Sequence, residues 1–325
     1  MPSQETQNKH SDNIPASYQK ILDQFSSDFQ ANKLHHAYLI SGLEGSGKEN
    51  LCRKIASDIL YNQAEAKNRA AFSDLNNHPD FLNIVPDPES KRQEITVKQA
   101  REITKFLSLN ANIGTYRVII INSIDNLNLN AANALLKILE EPPNDTIFLI
   151  ISHNNKKILA TIKSRCCEIR LPKLTNSEIK DNIKAMNIEF TESQITEILE
   201  ICPYQPTQAA HLLKNDALEI YKKLLDLNLN LDLQELQKFL DSQKLKTNTD
   251  KFDILSLLIN QLFYRIIKAK NLSKSEQKLS NKLTKKHSFV ELVGIISQFN
   301  NKAQDCKKAN LDRNYFITNF LINLH

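Results

Sequence analysis

A chain of 325 residues is long enough for two or three domains, and 41 % hydrophobic with 24 % charged residues is the balance of a globular protein. No apolar run approaches the roughly 18 residues a membrane span needs. The five cysteines, at 52, 166, 167, 202 and 306, form neither a CxxC pair nor an even framework, so a zinc site and a disulfide scaffold are not expected and a reducing cytoplasmic setting is.

Residues 1–15, "MPSQETQNKHSDNIP", read as a disordered polar tail without an apolar signal core. Strand and helix then alternate. "HAYLISG" (36–42) is a short apolar run ending in glycine, and a helix pattern follows from Lys48 to Leu60. "DFLNIVP" reads as a strand, and "TVKQAREITKFLSL" (96–109) carries an apolar stripe at 97, 100, 103, 106 and 107. "RVIIIN" (117–122) is a buried strand by its β-branched run. "AANALLKILEE" is a helix stopped at Pro142-Pro143, since proline disfavours helical geometry in the residue before it. "TIFLIIS" (146–152) and "CCEIRL" are further strands. This rhythm predicts a parallel sheet covered on both faces. After Pro172 no convincing strand recurs. "TNSEIKDNIKAM" begins a run of helices interrupted at "CPYQP" (202–206), and the basic "KAKNLSKSEQKLSNKLTKK" (268–286) is expected to be a loop between two long helices. The expected units are an α/β domain over 16–170, a small helical domain over 171–214 and a larger all-α domain over 215–325. The overall charge of +5 is lopsided: Tyr221 to His325 carries 18 Lys and Arg against 10 Asp and Glu. A solvated helical surface accounts for that, and so would a nucleic-acid partner.

"GLEGSGKEN" (42–50) has the spacing of a phosphate-binding loop, with Gly42, Gly45, Gly47 and Lys48 in place between a strand and a helix. In such loops the glycines turn backbone N–H groups inward at a helix N-terminus, the lysine adds a point charge, and a Ser or Thr holds the metal. Here Glu49 replaces the hydroxyl. Its carboxylate would repel triphosphate oxygens about 4 Å away by roughly 1–4 kcal/mol, although it could also turn away or ligand a metal itself. The second metal-holding position is an acid at the end of a buried strand, followed by a glutamate that prepares the attacking water. At the end of "RVIIIN" stand Asn122 and Ser123, and Asp125 comes three residues later. With both positions changed, no ATP hydrolysis is expected at this site, and no metal.

"NALLKILEEPP" (133–143) and "TIKSRC" (161–166), at their mutual spacing, resemble signatures of the clamp-loader subunits of bacterial DNA polymerase III, members of the AAA+ family. "HPDFLNIVPD", "ITVKQAREI" and "ANLDRNYFITNFLINL" (309–324) resemble further segments. The resemblance implies an AAA+ P-loop domain with a parallel sheet, a helical lid domain and an all-α collar that oligomerises. It makes Asn122, eleven positions before Asn133, the counterpart of the metal-binding acid. Within the family, the degenerate loop and the absence of a tau-like extension favour the non-hydrolysing delta-prime kind over the ATP-hydrolysing gamma/tau kind. Gln208 stands where a nucleotide-sensing arginine is expected, so the chain's own nucleotide binding is weak or absent. The cysteines of the family's zinc module are missing from "YNQAEAKNRAAFSDLNN", so no zinc is expected.

The same resemblance implies that Arg165, with Ser164 and Cys166 of "SRC", faces the ATP of a neighbouring subunit and stabilises transition-state charge in trans. From spacing alone, a surface salt bridge is the favoured reading of Arg165, and the resemblance is what turns it to the trans role. Implied partners are gamma/tau and delta subunits, the sliding clamp and, through the complex, primer-template DNA; no membrane is involved. Two alternatives are an active gamma/tau-like ATPase using Glu49 or Asp125 for metal, and a DNA-binding scaffold working through its basic C-terminal domain. Bland readings apply elsewhere. His35 and His36 are capping or solvent-facing, Cys166 and Cys167 are packed thiols, and Glu140 and Glu141 end a helix or meet a neighbouring subunit. The lysines of 268–286 are solvated or near DNA.

Overall fold

In a computed structural model, residues 14–63, 74–86, 94–108, 115–154, 158–203, 205–230, 232–245, 249–269, 272–309 and 311–324 are described. Of the expected tail, residues 1–13 lie outside the described residues. So do 64–73 of the stretch that lacks the zinc-module cysteines. Two compact units divide the chain: Met1–Ala185 with Tyr204–Pro206, and Met186–Pro203 with Thr207–His325. The division after Ala185 falls inside the stretch assigned to the lid.

The first unit contains a five-stranded parallel sheet. Its strands are β1 (Ala37–Ser41), β2 (Phe81–Ile84), β3 (Arg117–Asn122), β4 (Thr146–Ser152) and β5 (Cys167–Arg170), in the order β2-β3-β4-β1-β5. The register sets Leu39 beside Ile150 and Ile121 beside the same residue from the other side. Side chains alternate across a strand, so one face carries Leu39, Ile119, Ile121, Phe148 and Ile150. These pack with Ile103 and Leu107 of α3 (Val97–Leu107) and Leu135 and Leu139 of α4 (Leu129–Glu140). On the other face Tyr38 meets Phe25 of α1 (Gln19–Gln30), ring centroids 4.5 Å apart, and α2 (Lys48–Gln63) packs on β3 and β4. The expected sheet covered on both faces is what forms. Its edge strand β5 is the exception, with only Ile169 partly shielded.

Caps and breakers fix the helix ends. Thr96 and Gln99 form a capping box at the start of α3, with Gln99 Oε1 accepting the Thr96 N–H at 3.0 Å. Asn128 Oδ1 accepts the Ala131 N–H at 2.9 Å to open α4, which stops before Pro142. After β4 come the short α5 (Ala160–Lys163), β5 and α6 (Asn176–Ala185).

The second unit is all-helical among the described residues: α7 (Glu192–Ile201), α8 (Pro206–Lys214, in this unit from Thr207 on), α9 (Ala217–Leu229), α10 (Leu233–Ser242), α11 (Thr249–Lys268), α12 (Lys274–Thr284), α13 (Phe289–Lys308) and α14 (Arg313–Leu324). Phe299 anchors its last pair, 5.2 Å from Phe316 and 4.4 Å from Phe320 between centroids.

Helix α12 corrects the expectation of a loop over 268–286. Ser273 caps it reciprocally with Glu276, and Leu279 and Leu283 lie one turn apart on a buried face. Its decisive contact is polar. Glu276 is 1 % exposed and accepts from Arg265 Nε at 2.6 Å and Nη2 at 2.9 Å, from the Tyr221 hydroxyl at 2.5 Å, and from the Ser273 N–H at 2.6 Å. Burial pushes this carboxyl up. The Arg265 guanidinium and the other donors outweigh burial and hold it at about 2.

Candidate functional site: a degenerate nucleotide loop and an arginine on the α5–β5 turn

Strand β1 delivers Gly42 to the loop, and Lys48 opens α2. Gly45 (φ 74°) and Gly47 (φ 80°) take left-handed backbone that a side chain would strain. A Cβ on Gly42 would stand 3.3 Å from Leu171 Cβ and 3.4 Å from Ser46 Oγ. The loop therefore keeps the backbone of a phosphate cradle.

Its side chains are turned to other partners. Lys48 is 3 % exposed, and its Nζ donates to the Gly42 carbonyl at 2.9 Å and the Leu43 carbonyl at 2.5 Å. Burial pushes the Lys48 ammonium down to about 8, against the pull of the Glu44 and Asp125 carboxylates. Tyr18, fully buried, donates its hydroxyl to the Ser46 carbonyl at 2.6 Å, and burial pushes that hydroxyl up to about 12. Pro15, the last residue of the expected tail, is buried and accepts the Tyr18 N–H at 2.9 Å.

Glu49 and Asn122, the two residues singled out in the sequence, meet each other. Glu49 Oε2 accepts from Asn122 Nδ2 at 2.9 Å, while Oε1 accepts from Arg53 Nε at 3.1 Å. Helix α2 is thereby joined to the end of β3 by a direct carboxylate–amide bond. Ser123 is 2 % exposed, and its carbonyl accepts the Asn126 N–H at 3.1 Å, closing the turn. Asp125 is engaged as well. Its carboxylate accepts from the His153 N–H at 2.6 Å, the Asn154 N–H at 3.1 Å and Ser152 Oγ at 3.2 Å, holding the chain where it leaves β4. Beside it, burial and then the Lys48 charge push the half-buried His153 below its ordinary range.

The second constellation lies where α5 turns into β5. Arg165 Nη2 donates to Glu140 Oε1 at 2.7 Å, and Nη1 donates to the Thr161 carbonyl at 2.8 Å and to Ser164 Oγ at 3.3 Å. The arginine side chain keeps 32 % of its surface exposed. Cys166 packs against the core cluster, and burial pushes its thiol up to about 11. Cys167 departs from expectation: it is exposed, because β5 is the uncovered edge of the sheet. His35 caps its own strand, its Nδ1 lying 2.8 Å from the Ala37 carbonyl oxygen.

Residues 17–175 match the family model described as DNA polymerase III, delta subunit. A delta' subunit of DNA polymerase III from Pseudomonas aeruginosa is 37 % identical over 143 residues, 42 % of this chain and 43 % of that protein. The delta' subunit of Buchnera aphidicola is 30 % identical over 272 residues, 81 % of this chain and 82 % of that protein. The chain belongs to the delta' family of DNA polymerase III subunits. The gamma subunit of the same Buchnera is also 30 % identical, over 52 % of this chain and 49 % of its own length.

In this delta' family member, Gln208 lies in the helical second unit, where its Oε1 sits 2.8 Å from Cys202 Sγ. The described residues hold no cluster of three or more His, Cys, Asp or Glu placed for a metal. No described helix is long and apolar enough to cross a membrane. Sequence reasoning missed Tyr18 and Arg53. The i, i+4 spacing of Glu49 and Arg53 on one helix was a signal for the second, whereas nothing in the sequence marks Tyr18 as a loop ligand.

Proposed function

We propose that this chain is the non-hydrolysing delta'-type member of a cytoplasmic clamp loader. It completes a ring with gamma/tau and delta subunits and helps open the sliding clamp for loading on primer-template DNA. The observation that carries the reading is the Glu49–Asn122 hydrogen bond, 2.9 Å long, which engages both metal-holding positions with each other. ATP hydrolysis needs a metal bridging phosphate oxygens and a base aligning water. Lys48 bonds its own loop's carbonyls, Asp125 holds the end of β4, and Ser123 offers no carboxylate. A gamma/tau-like ATPase using Glu49 or Asp125 would have to break these contacts first. The chain's own nucleotide binding is accordingly weak or absent, and it requires no cofactor and no zinc.

Arg165 acts in trans in this reading. A guanidinium stays charged, and its planar fork reaches two phosphoryl oxygens. An arginine supplied this way is worth about 10³–10⁵ in rate at the site it serves. The ring's other ATP sites keep their own arginines, so Arg165→Ala should lower DNA-stimulated ATP hydrolysis and clamp loading in part. The test reconstitutes the loader with wild-type or Arg165→Ala subunit at matched assembly. Unchanged rates in both assays would overturn the trans role, and failure to join gamma/tau and delta subunits would overturn the whole reading.

A further inference from the structure

Two stretches that carry the family resemblance, "NALLKILEEPP" and "TIKSRC", are joined in the structure by an ion pair. Glu140 is the last residue of α4, and Arg165 follows α5. The carboxylate meets the guanidinium at 2.7 Å across 25 positions of sequence. Both ends are anchored on a common core, since Leu135 and Leu139 of α4 belong to the same cluster as Ile158 and Ile162 around α5.

The three acceptors around Arg165 divide by nitrogen and by element. Thr161 and Ser164, in one helical turn, both take Nη1, and Ser164 Oγ is itself held by the Thr161 carbonyl at 3.0 Å. Both acceptors belong to the turn that carries Arg165, so these bonds tie the guanidinium to its own turn. Glu140 takes Nη2 from a different element and so ties the guanidinium across to α4. Nε donates to no described residue, and Nη2 carries a second N–H that these contacts do not use, so two donors of the planar fork are left over. The side chains are 32 % and 49 % exposed, and so open an ion pair contributes little to stability, which leaves the contact unexplained by folding. Orientation is what a transferable charge needs, because catalytic groups lose effect when misplaced by a fraction of an ångström.

We infer that Glu140 is a positioning residue: it braces Arg165 from α4 in the orientation in which it is presented to the nucleotide of a neighbouring subunit. This rests on the trans role proposed for Arg165. With both N–H groups on Nη1 bonded within its own turn, Glu140 is the contact that braces the guanidinium from a second element and keeps Nε and the other Nη2 N–H directed away from α4.

The test uses the complete loader reconstituted with wild-type, Glu140→Ala, Glu140→Gln, Arg165→Ala or doubly substituted subunit, with assembly matched by gel filtration. The rate read is the Arg165-dependent part of DNA-stimulated ATP hydrolysis, as kcat and KM for ATP separately. Glu140→Ala should lower that part of kcat on the order of tenfold with KM nearly unchanged. Glu140→Gln keeps an oxygen acceptor and should restore most of the rate. In the Arg165→Ala background, Glu140→Ala should do nothing further. Three results would overturn the assignment. They are a Glu140→Ala rate equal to wild type while Arg165→Ala is slow, a Glu140→Ala rate above wild type, and an equal Glu140→Ala loss with and without Arg165. An Arg165→Ala rate equal to wild type would instead remove the trans role itself.

Discussion

Replacing Glu276 with alanine strips the carboxylate from a guanidinium that is 8 % exposed and removes the acceptor of a buried tyrosine hydroxyl. Breaking a buried ion pair from one side costs about 3–5 kcal/mol, because the remaining charge stays desolvated. An orphaned buried hydroxyl adds about 1–3 kcal/mol. The Tyr221 and Arg265 contacts converge on one carboxylate, so the two costs overlap, and a loss of about 4 kcal/mol is expected. That is a large share of the roughly 5–15 kcal/mol by which domains are stable. Urea titration of the full chain, followed by helix ellipticity, reads the loss as an earlier transition of the helical second unit. Substituting Arg265 as well should recover part of the loss, since no buried charge is then left alone. A Glu276→Ala loss below about 1 kcal/mol, or additive losses in the double variant, would refute the reasoning.

The remaining predictions concern pH, the loop and the cysteines. The Glu276 carboxyl is held at about 2 against an ordinary 4.5, so its contribution is present above pH 4.5 and lost as pH falls through 4.5 toward 2. It amounts to roughly 3 kcal/mol, and acid titration of Glu276→Gln should show a shallower fall than wild type; an identical acid limb would speak against the pairing. Glu49→Ala should destabilise the first unit by about 1 kcal/mol through loss of a charge-assisted bond, and Asn122→Ala should do the same without adding to it. Additive losses in the double variant would mean that the two side chains act separately. Tyr18→Phe should cost about 1 kcal/mol and speed amide exchange at the start of α2, whereas unchanged exchange there would show that the hydroxyl does not brace the loop. Cys167 should react with a thiol reagent well before Cys166, whose thiol is pushed up to about 11 by burial, and the reverse order would contradict the exposed edge strand.

Much of the first unit was legible because its signals are local. The β-branched runs at 117–122 and 146–152 coincide with β3 and β4, and the stripe at 97, 100, 103, 106 and 107 lies within α3. Pro142 ends α4 for a reason that needs no tertiary structure. Helix α12 was hidden by its composition, since a Lys- and Ser-rich segment shows only two leucines one turn apart. What makes it a buried helix is Glu276, whose partners Arg265 and Tyr221 lie 11 and 55 positions away. The candidate site followed the same rule. Glu49 and Asn122 could each be singled out position by position, but the bond between them crosses 73 positions. Nothing periodic announces it. Likewise "CCEIRL" was readable as a strand, yet only the strand order places it at an open edge and leaves Cys167 exposed.

ATP turnover by the isolated chain bears most directly on the claim that its nucleotide site is closed by its own side chains. The measurement is steady-state phosphate release with magnesium and ATP, in wild-type protein beside Lys48→Ala. The account predicts no turnover above background in either, because Glu49 and Asn122 bond each other and Lys48 bonds the loop carbonyls. Turnover in the wild type that Lys48→Ala abolishes would contradict it.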